Sequence, residues 1–250
     1  MGTDCVSYSR QTLKLMKPHL KVDLSPGCKV KRMNKTIFKR AGAVQLRLNG
    51  CVGCNEHVYL PKDKASACPR CGHPRYKPDD GRPFEECFYF PLRPQFQRLL
   101  KLAHFRHLLM YEERREVNTD YIADVYDSPR WNSVMGETTT RLTRICLQGC
   151  VDGVPPFQHG NHESVKPIQY FIGNLAPWLR YKLDYMVLHM LILASLKGQA
   201  AKKYYDWAAN YEMNALHTHG VNGVRVSVFG MTLDTPGRRE LLQLQVRIIT

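Results

Sequence analysis

Apolar and polar residues alternate along the C-terminal half of the chain in segments that predict a β-sheet. The clearest segment is RICLQGCV at residues 144–151, where the alternation ends at a Gly-Val-Pro-Pro turn signal typical of a buried strand that stops abruptly. A nearly continuous apolar run at residues 184–193 is typical of a central strand. The predicted order is strand, strand, strand, helix, strand, at residues 144–151, 167–174, 184–193, 199–216 and 224–234.

The N-terminal half carries fewer periodic segments. Residues 43–48 alternate apolar and polar side chains and predict a strand. A helix is predicted from Pro94, because Phe96, Leu99 and Leu100 recur at helical spacing and proline is tolerated in the first turn of a helix. The chain therefore combines helices and strands, which predicts the α/β class.

Several aromatic and polar side chains are assigned to the core. Trp131 is expected to anchor the loop or short helix at residues 121–131, and His189 is interpreted as a core histidine rather than a ligand. The helix predicted at residues 199–216 has an apolar stripe, which more often packs on a core than binds a partner. That stripe consists of Tyr204, Trp207, Ala208, Tyr211 and Ala215.

Composition points to a polyanionic partner. The chain has 250 residues, of which 44% are hydrophobic, and its formal net charge is +14. This excess of positive charge favours nucleic acid over a membrane, although plain solubility is the ordinary alternative. The basic run at residues 29–40 either contacts phosphates, serves as a nuclear address or forms a solvated arm. The first ten residues lack the apolar segment of a secretory signal, and the longest apolar run, at residues 185–195, is too short to span a bilayer.

Two Cys-x2-Cys pairs form the sharpest local motif. An intracellular chain with nine cysteines is expected to use them as metal ligands and buried thiols rather than in disulfides. The two pairs are separated by thirteen residues, a spacing that predicts a closed, structural four-thiolate zinc site in a zinc ribbon. The predicted zinc ligands are Cys51, Cys54, Cys68 and Cys71, with His57, His73 and Cys87 as the alternatives.

The role of the ribbon stays open between two alternatives. It either holds a small domain together or presents basic and aromatic residues to DNA. The residues available for such a DNA contact are Arg70, Arg75, Tyr76 and Lys77.

An aspartate stands at the end of the first and of the fourth predicted strand of the sheet. These residues are Asp152 and Asp234, and the strand order is that of a ribonuclease-H-like fold, in which the first and fourth strands lie side by side. Two carboxylates at neighbouring strand ends would share Mg²⁺ or Mn²⁺ ions, which prefer oxygen ligands. The ordinary alternative is that Asp152 only opens a turn with Gly153.

The order of these motifs resembles animal relatives of the CACTA (En/Spm-like) transposases. The resemblance runs from about residue 45 to 240 and includes YFPLRPQFQRLL, CLQGCVDGVPPF and MTLDTPGRREL beside the ribbon. It implies that Asp152 and Asp234 are the first two acidic residues of an Asp-Asp-Glu site, with Gly237 where the family pattern has alanine. Such a site would cut and rejoin DNA by two-metal phosphoryl transfer.

The resemblance also implies a third acidic residue on a helix far downstream. Glu240 follows Asp234 too closely to lie on that helix, so we expect a truncated, catalytically incomplete chain. The expected domains are a basic arm, a zinc ribbon, a helical linker and a partial ribonuclease-H-like catalytic domain with an incomplete mixed sheet, at residues 1–44, 45–92, 93–140 and 141–250.

Two other functions remain as alternatives. One is a zinc-ribbon DNA-binding protein without chemistry, derived from a transposable element, and the other is a ribonuclease-H-like nuclease. The polar loop residues Asn161, His162 and Glu163 are treated as an ordinary loop rather than as site residues. The expected partners are DNA, as transposon ends and target, and further copies of the chain. The expected location is the nucleus.

Overall fold

The structure is a computed structural model that describes residues 44–117, 121–135, 142–152, 165–193, 195–196 and 198–233. The strands of this part of the chain are β1 Leu46–Gly50, β2 Val58–Tyr59, β3 Glu86–Tyr89, β4 Arg144–Val151, β5 Val165–Ile172, β6 Val187–Leu193 and β7 Arg225–Leu233. Its α-helices are α1 Leu92–Lys101, α2 Ala103–Leu109, α3 Pro129–Met135, α4 Pro177–Arg180, α5 Gln199–Ala208 and α6 Asn214–His219. Short 3₁₀ turns occupy Tyr111–Arg114, Val125–Asp127 and Leu183–Tyr185.

All seven strands belong to one mixed sheet with the order β2-β1-β3-β6-β5-β4-β7. The pair β4 and β7 is parallel, and the other neighbours are antiparallel. The α/β class and the mixed sheet predicted from the sequence are therefore confirmed. The predicted strand at residues 144–151 has the bounds of β4, and the other four predicted strands overlap β1, β5, β6 and β7.

The sheet runs through the segment that the sequence assigns to the ribbon. Strand β3 pairs with β6 through Phe88↔Leu191 and Tyr89↔Met190, so β1, β2 and β3 extend the same sheet as β4 to β7. The pattern of residues 45–92 contains no signal for this pairing, because the register between distant strands depends on tertiary packing. The predicted domain boundaries stay a prediction.

Apolar side chains cover both faces of the sheet. Successive strand residues point to opposite faces, and the buried residues of β4 divide accordingly. Ile145 and Leu147 belong to the main core, whereas Cys146 packs with Tyr126 and Trp131 in a second cluster. Trp131 is 1% exposed, which confirms its predicted role as an anchor.

The helix predicted at residues 199–216 is interrupted by a π-helical turn at Ala209–Met213. The turn changes which side chains face the core, so Tyr211 is 54% exposed and its assignment to the buried stripe is wrong. Glu212 is buried instead. Its carboxylate accepts hydrogen bonds from the Tyr89 hydroxyl at 2.7 Å and the Arg93 backbone N–H at 2.9 Å.

The imidazole Nε2 of His189 lies 3.2 Å from the Glu212 carboxylate, and the histidine side chain is fully buried. His189 is therefore a core histidine, as the sequence predicts. The helix predicted from Pro94 begins two residues earlier, at Leu92, and Leu102 in extended conformation separates α1 from α2. None of the helices in the described part of the chain is long and apolar enough to cross a bilayer.

Candidate metal centre

The four predicted cysteine ligands lie together, two in the loop between β1 and β2 and two in the loop that follows β2. Their Sγ atoms all lie within 4.8 Å of one another. The Sγ atoms of Cys51 and Cys71 are 3.5 Å apart, and those of Cys54 and Cys68 are 3.8 Å apart. A tetrahedral zinc site with Zn–S bonds of about 2.3 Å places its sulfurs about 3.8 Å apart. The four cysteines could therefore hold a metal ion such as zinc, as the spacing predicts.

Backbone hydrogen bonds close each Cys-x2-Cys turn. The Asn55 N–H donates to the Cys51 carbonyl at 3.2 Å, and the Gly72 N–H donates to the Cys68 carbonyl at 2.8 Å. Both turns then need a residue in the left-handed region, which Asn55 occupies with φ 54° and Gly72 with φ 73°. Asparagine and glycine are the residue types that tolerate this conformation. The local sequence thus sets the geometry that points two thiols of each turn the same way.

Buried thiols and oriented N–H groups give these cysteines different acidities. Burial raises the pKa of the Cys51 thiol to about 12. Burial also acts on Cys68, but the backbone N–H groups of Arg70 and Cys71 outweigh it and lower the pKa of that thiol to about 7. Oriented N–H groups stabilise a thiolate, which is the form that binds metal. Of these two cysteines, Cys68 is therefore the stronger acid and the one that more readily supplies a thiolate.

Arg75 braces the cysteine loops from within the protein. Its guanidinium donates to Asn49 Oδ1 at 2.6 and 2.9 Å and to the Asp63 carbonyl at 2.8 Å, and it lies 4.4 Å from the centre of the Tyr59 ring. Only 6% of Arg75 is exposed, and its guanidinium is used in these internal contacts. Its side chain is therefore not free to contact DNA. Tyr59 is also buried, and burial raises its pKa to about 12.

The alternative ligands stand apart from the cluster. Among the described residues, the group that can share one metal contains the four cysteines and neither His57 nor His73. His73 donates through Nδ1 to the Pro74 carbonyl at 2.7 Å. Cys87 is 1% exposed in β3, and burial raises the pKa of its thiol well above its ordinary value.

Asp152 follows the last residue of β4 and is exposed. In the parallel pair, Val151 lies opposite Leu233, the last residue of β7. One face of this region is polar, because Gln148 Nε2 donates to Thr232 Oγ1 at 2.9 Å. Asp234 lies outside the described residues, as do residues 29–40 and the loop at residues 161–163.

One residue near the cysteines carried no signal in the sequence. The sequence pattern places Lys203 of α5 in a polar, solvated helix start. In the structure Lys203 is 4% exposed and contacts the first cysteine turn. Only a buried partner elsewhere in the fold reveals such a lysine, because its local pattern is that of a surface residue.

Protein-family models, curated protein sequences and solved structures contain no match to this chain. The resemblance to CACTA transposases therefore stays a prediction.

Proposed function

We propose that this chain carries two of the acidic residues of a transposase-type site, which acts on DNA by two-metal phosphoryl transfer. Asp152 and Asp234 would hold Mg²⁺ or Mn²⁺ at the neighbouring ends of β4 and β7. When bound, such ions supply Lewis-acid stabilisation of the attacking and leaving oxygens. The carboxylates would fix the position of the ions relative to the scissile phosphate, and the nucleophile would be water or a DNA 3′-OH.

The register of β4 against β7 carries this proposal. Paired residues are 81 positions apart up to Leu147↔Val228, and 82 positions apart from Gln148↔Gly230 to Val151↔Leu233. The separation of Asp152 from Asp234 is also 82 positions. Both aspartates thus come directly after residues that are paired in parallel, which is the arrangement that two carboxylates need to share a metal site.

The strand order supports the same proposal. The strands β4, β5 and β6 form a consecutive antiparallel series, and β7 returns after a helical segment to lie parallel to β4. This order, β6-β5-β4-β7, is the one expected of a ribonuclease-H-like fold. We therefore assign that fold to the portion of the sheet from β4 to β7 as part of the proposal.

Mn²⁺ binding to the full chain tests the paired carboxylates. With the cysteine site first loaded with zinc, Mn²⁺ binding is measured by electron paramagnetic resonance in Asp152→Asn, Asp234→Asn and the double variant. Each single substitution is expected to weaken binding, and the double variant to add little, because groups that share one ion are not independent. Asp184→Asn, at an exposed 3₁₀ turn, is the matched control and should leave binding unchanged.

Unchanged Mn²⁺ binding in both single variants would refute the shared site.

Cleavage of labelled DNA in Mn²⁺ tests catalysis separately. Activity that Asp152→Asn abolishes supports phosphoryl transfer, and absence of activity in every divalent metal favours the second function below.

The second candidate is DNA binding without chemistry, and the surface of α1 and α2 favours it. Residues 91–111 contain no Asp or Glu. Five exposed basic side chains lie along these two helices, namely Arg98, Lys101, His104, Arg106 and His107. A basic surface of this kind suits the DNA backbone, because binding there releases counterions.

The salt dependence of DNA binding tests that surface. If Lys101 contacts a phosphate, Lys101→Ala should lower the slope of log K against log salt by about 0.9. Lys62→Ala, which removes an exposed lysine in the loop after β2, is the control. Equal slopes for the two variants and the unsubstituted chain would exclude α1 and α2 from the contact.

Zinc is the metal we assign to the cysteines in either case. Purified protein is expected to contain about one zinc ion per chain, because a closed four-thiolate site binds one ion. Replacing Cys54 and Cys68 together by serine should remove it. Full zinc content after both substitutions would contradict the assignment.

A further inference from the structure

Lys203 is a buried lysine whose ammonium group lies against the first cysteine turn. Its side chain is 1% exposed, although it lies in the second turn of α5. Lysine is almost never buried unless it is paired, because removing an ammonium group from water is costly. Here the partner is the Glu85 carboxylate, which is 5% exposed and lies 2.7 Å from Lys203 Nζ.

The remaining contacts of this ammonium group are with the metal-binding loop. Lys203 Nζ donates to the Cys51 carbonyl at 3.0 Å and to Asn55 Oδ1 at 3.3 Å. The Cys51 carbonyl also accepts the Asn55 N–H that closes the turn. Lys203 therefore contacts both ends of the turn that carries two of the four cysteines.

The packing around Gly50 keeps this arrangement tight. A Cβ at position 50 would meet Glu85 Oε1 and Lys203 Cε, and would lie 2.6 Å from the Tyr204 hydroxyl. Gly50 is the last residue of β1 and directly precedes Cys51. The close approach of α5 to the chain therefore occurs at the point where the sheet passes into the first cysteine turn.

From these contacts we propose that Lys203 is a positioning residue for the four-cysteine site and couples metal binding to helix α5. The ammonium group fixes the Cys51 carbonyl and the Asn55 side chain, and so holds the first two thiols where the second pair can meet them. The inference rests on zinc binding at the cysteines, as proposed above. It adds that the site is built jointly by its own loops and by a helix far along the chain.

Zinc affinity is the first test, measured on the full chain by competition with a chromophoric chelator. Lys203→Met keeps the length of the side chain and removes the ammonium group, and it should weaken zinc binding about 10- to 100-fold, as loss of a ligand-orienting partner does. Lys202→Met is the matched control on the same helix. Lys202 pairs with Asp206 at 2.6 Å rather than with the loop, so its variant should bind zinc as the unsubstituted chain does.

Amide hydrogen exchange on the unsubstituted chain provides a test that does not depend on the variant folding. Removal of zinc should lower the protection of α5, which contacts the cysteine turn through Lys203. Helix α3 is the internal reference, because it packs near β7 at the other end of the sheet order. Its protection should change less than that of α5.

The outcomes separate the two proposals. If the unsubstituted chain binds no zinc, the zinc assignment fails and the role of Lys203 toward it fails with it. If zinc binds with equal affinity to the Lys203→Met and Lys202→Met variants, the positioning role is refuted and the zinc site stands. If removing zinc changes α5 no more than α3, the coupling is refuted.

Discussion

Replacing Arg180 by methionine tests how far the fold depends on a single enclosed ion pair. Arg180 is 6% exposed and its guanidinium faces the Asp124 carboxylate, with an Nη2–Oδ2 distance of 2.8 Å. Its Nε also donates to the carbonyls of Gly173 and Leu175 at 3.0 and 2.8 Å. This one side chain therefore joins the end of β5, helix α4 and the 3₁₀ turn that Asp124 caps.

The expected cost follows from what the substitution leaves behind. The Asp124 side chain is 11% exposed, so Arg180→Met leaves a mostly buried carboxylate without its cation. Breaking a buried pair in this way costs about 3–5 kcal/mol. The exposed pair of Arg47 and Glu86, with 65% and 28% exposed side chains, is the matched comparison. Arg47→Met should cost no more than about 1 kcal/mol.

Urea unfolding followed by circular dichroism measures both costs. The Arg180→Met variant should show a lower midpoint with an unchanged slope, which indicates a change in stability rather than in the extent of unfolding. Adding Asp124→Asn should recover part of the loss, because the unpaired charge is then removed. Equal losses for Arg180→Met and Arg47→Met, or no recovery in the double variant, would refute the assignment of the cost to the buried charge.

Three further outcomes are expected. Removing zinc with a chelator should lower the unfolding midpoint of the unsubstituted chain in urea, since a ligand that binds only the folded state stabilises it. Burial raises the pKa of Glu212, but its contact with His189 and the hydrogen bonds from the backbone N–H groups of Arg93 and Leu92 together outweigh burial and hold the pKa below its ordinary value of 4.5. The stabilisation that comes from the ionised Glu212 carboxylate is therefore complete above pH 4.5, and it is lost as the pH falls through the lower pKa that Glu212 has in the folded state. Glu212→Gln should flatten this part of an acid-unfolding curve. Gly149→Ala should cost about 1–3 kcal/mol in urea unfolding through overpacking, because its Cβ would meet Met231 Sδ and lie 3.1 Å from Tyr170; a change of a few tenths would show that Met231 yields freely.

The parts of the fold with a strong local pattern were predictable from the sequence. Strand β4 has the predicted bounds because its alternation and its turn signal are both local. The cysteine cluster was predictable for the same reason, since the ligand spacing is short within each pair. The parallel contact between β4 and β7 was also predicted, from the order of elements rather than from any one residue.

The features that escaped prediction depend on distant partners. The pairing of Phe88 with Leu191 joins strands more than a hundred residues apart, and neither segment specifies the other. Lys203 follows another lysine in a polar helix start, so only its contact with Glu85 reveals that it is buried. The π-helical turn likewise shifts Tyr211 outward and Glu212 inward, against the 3.6-residue period that the sequence suggests.

The two edges of the sheet differ in how readily they would recruit another chain. Strand β2 ends the sheet on one side and has two residues, so it offers few unpaired backbone groups to a foreign strand. In the part of the chain that the structure describes, the opposite edge is β7, which is nine residues long. We therefore expect intermolecular strand addition, and any aggregation that begins from the native sheet, to start at β7 rather than beside the cysteines.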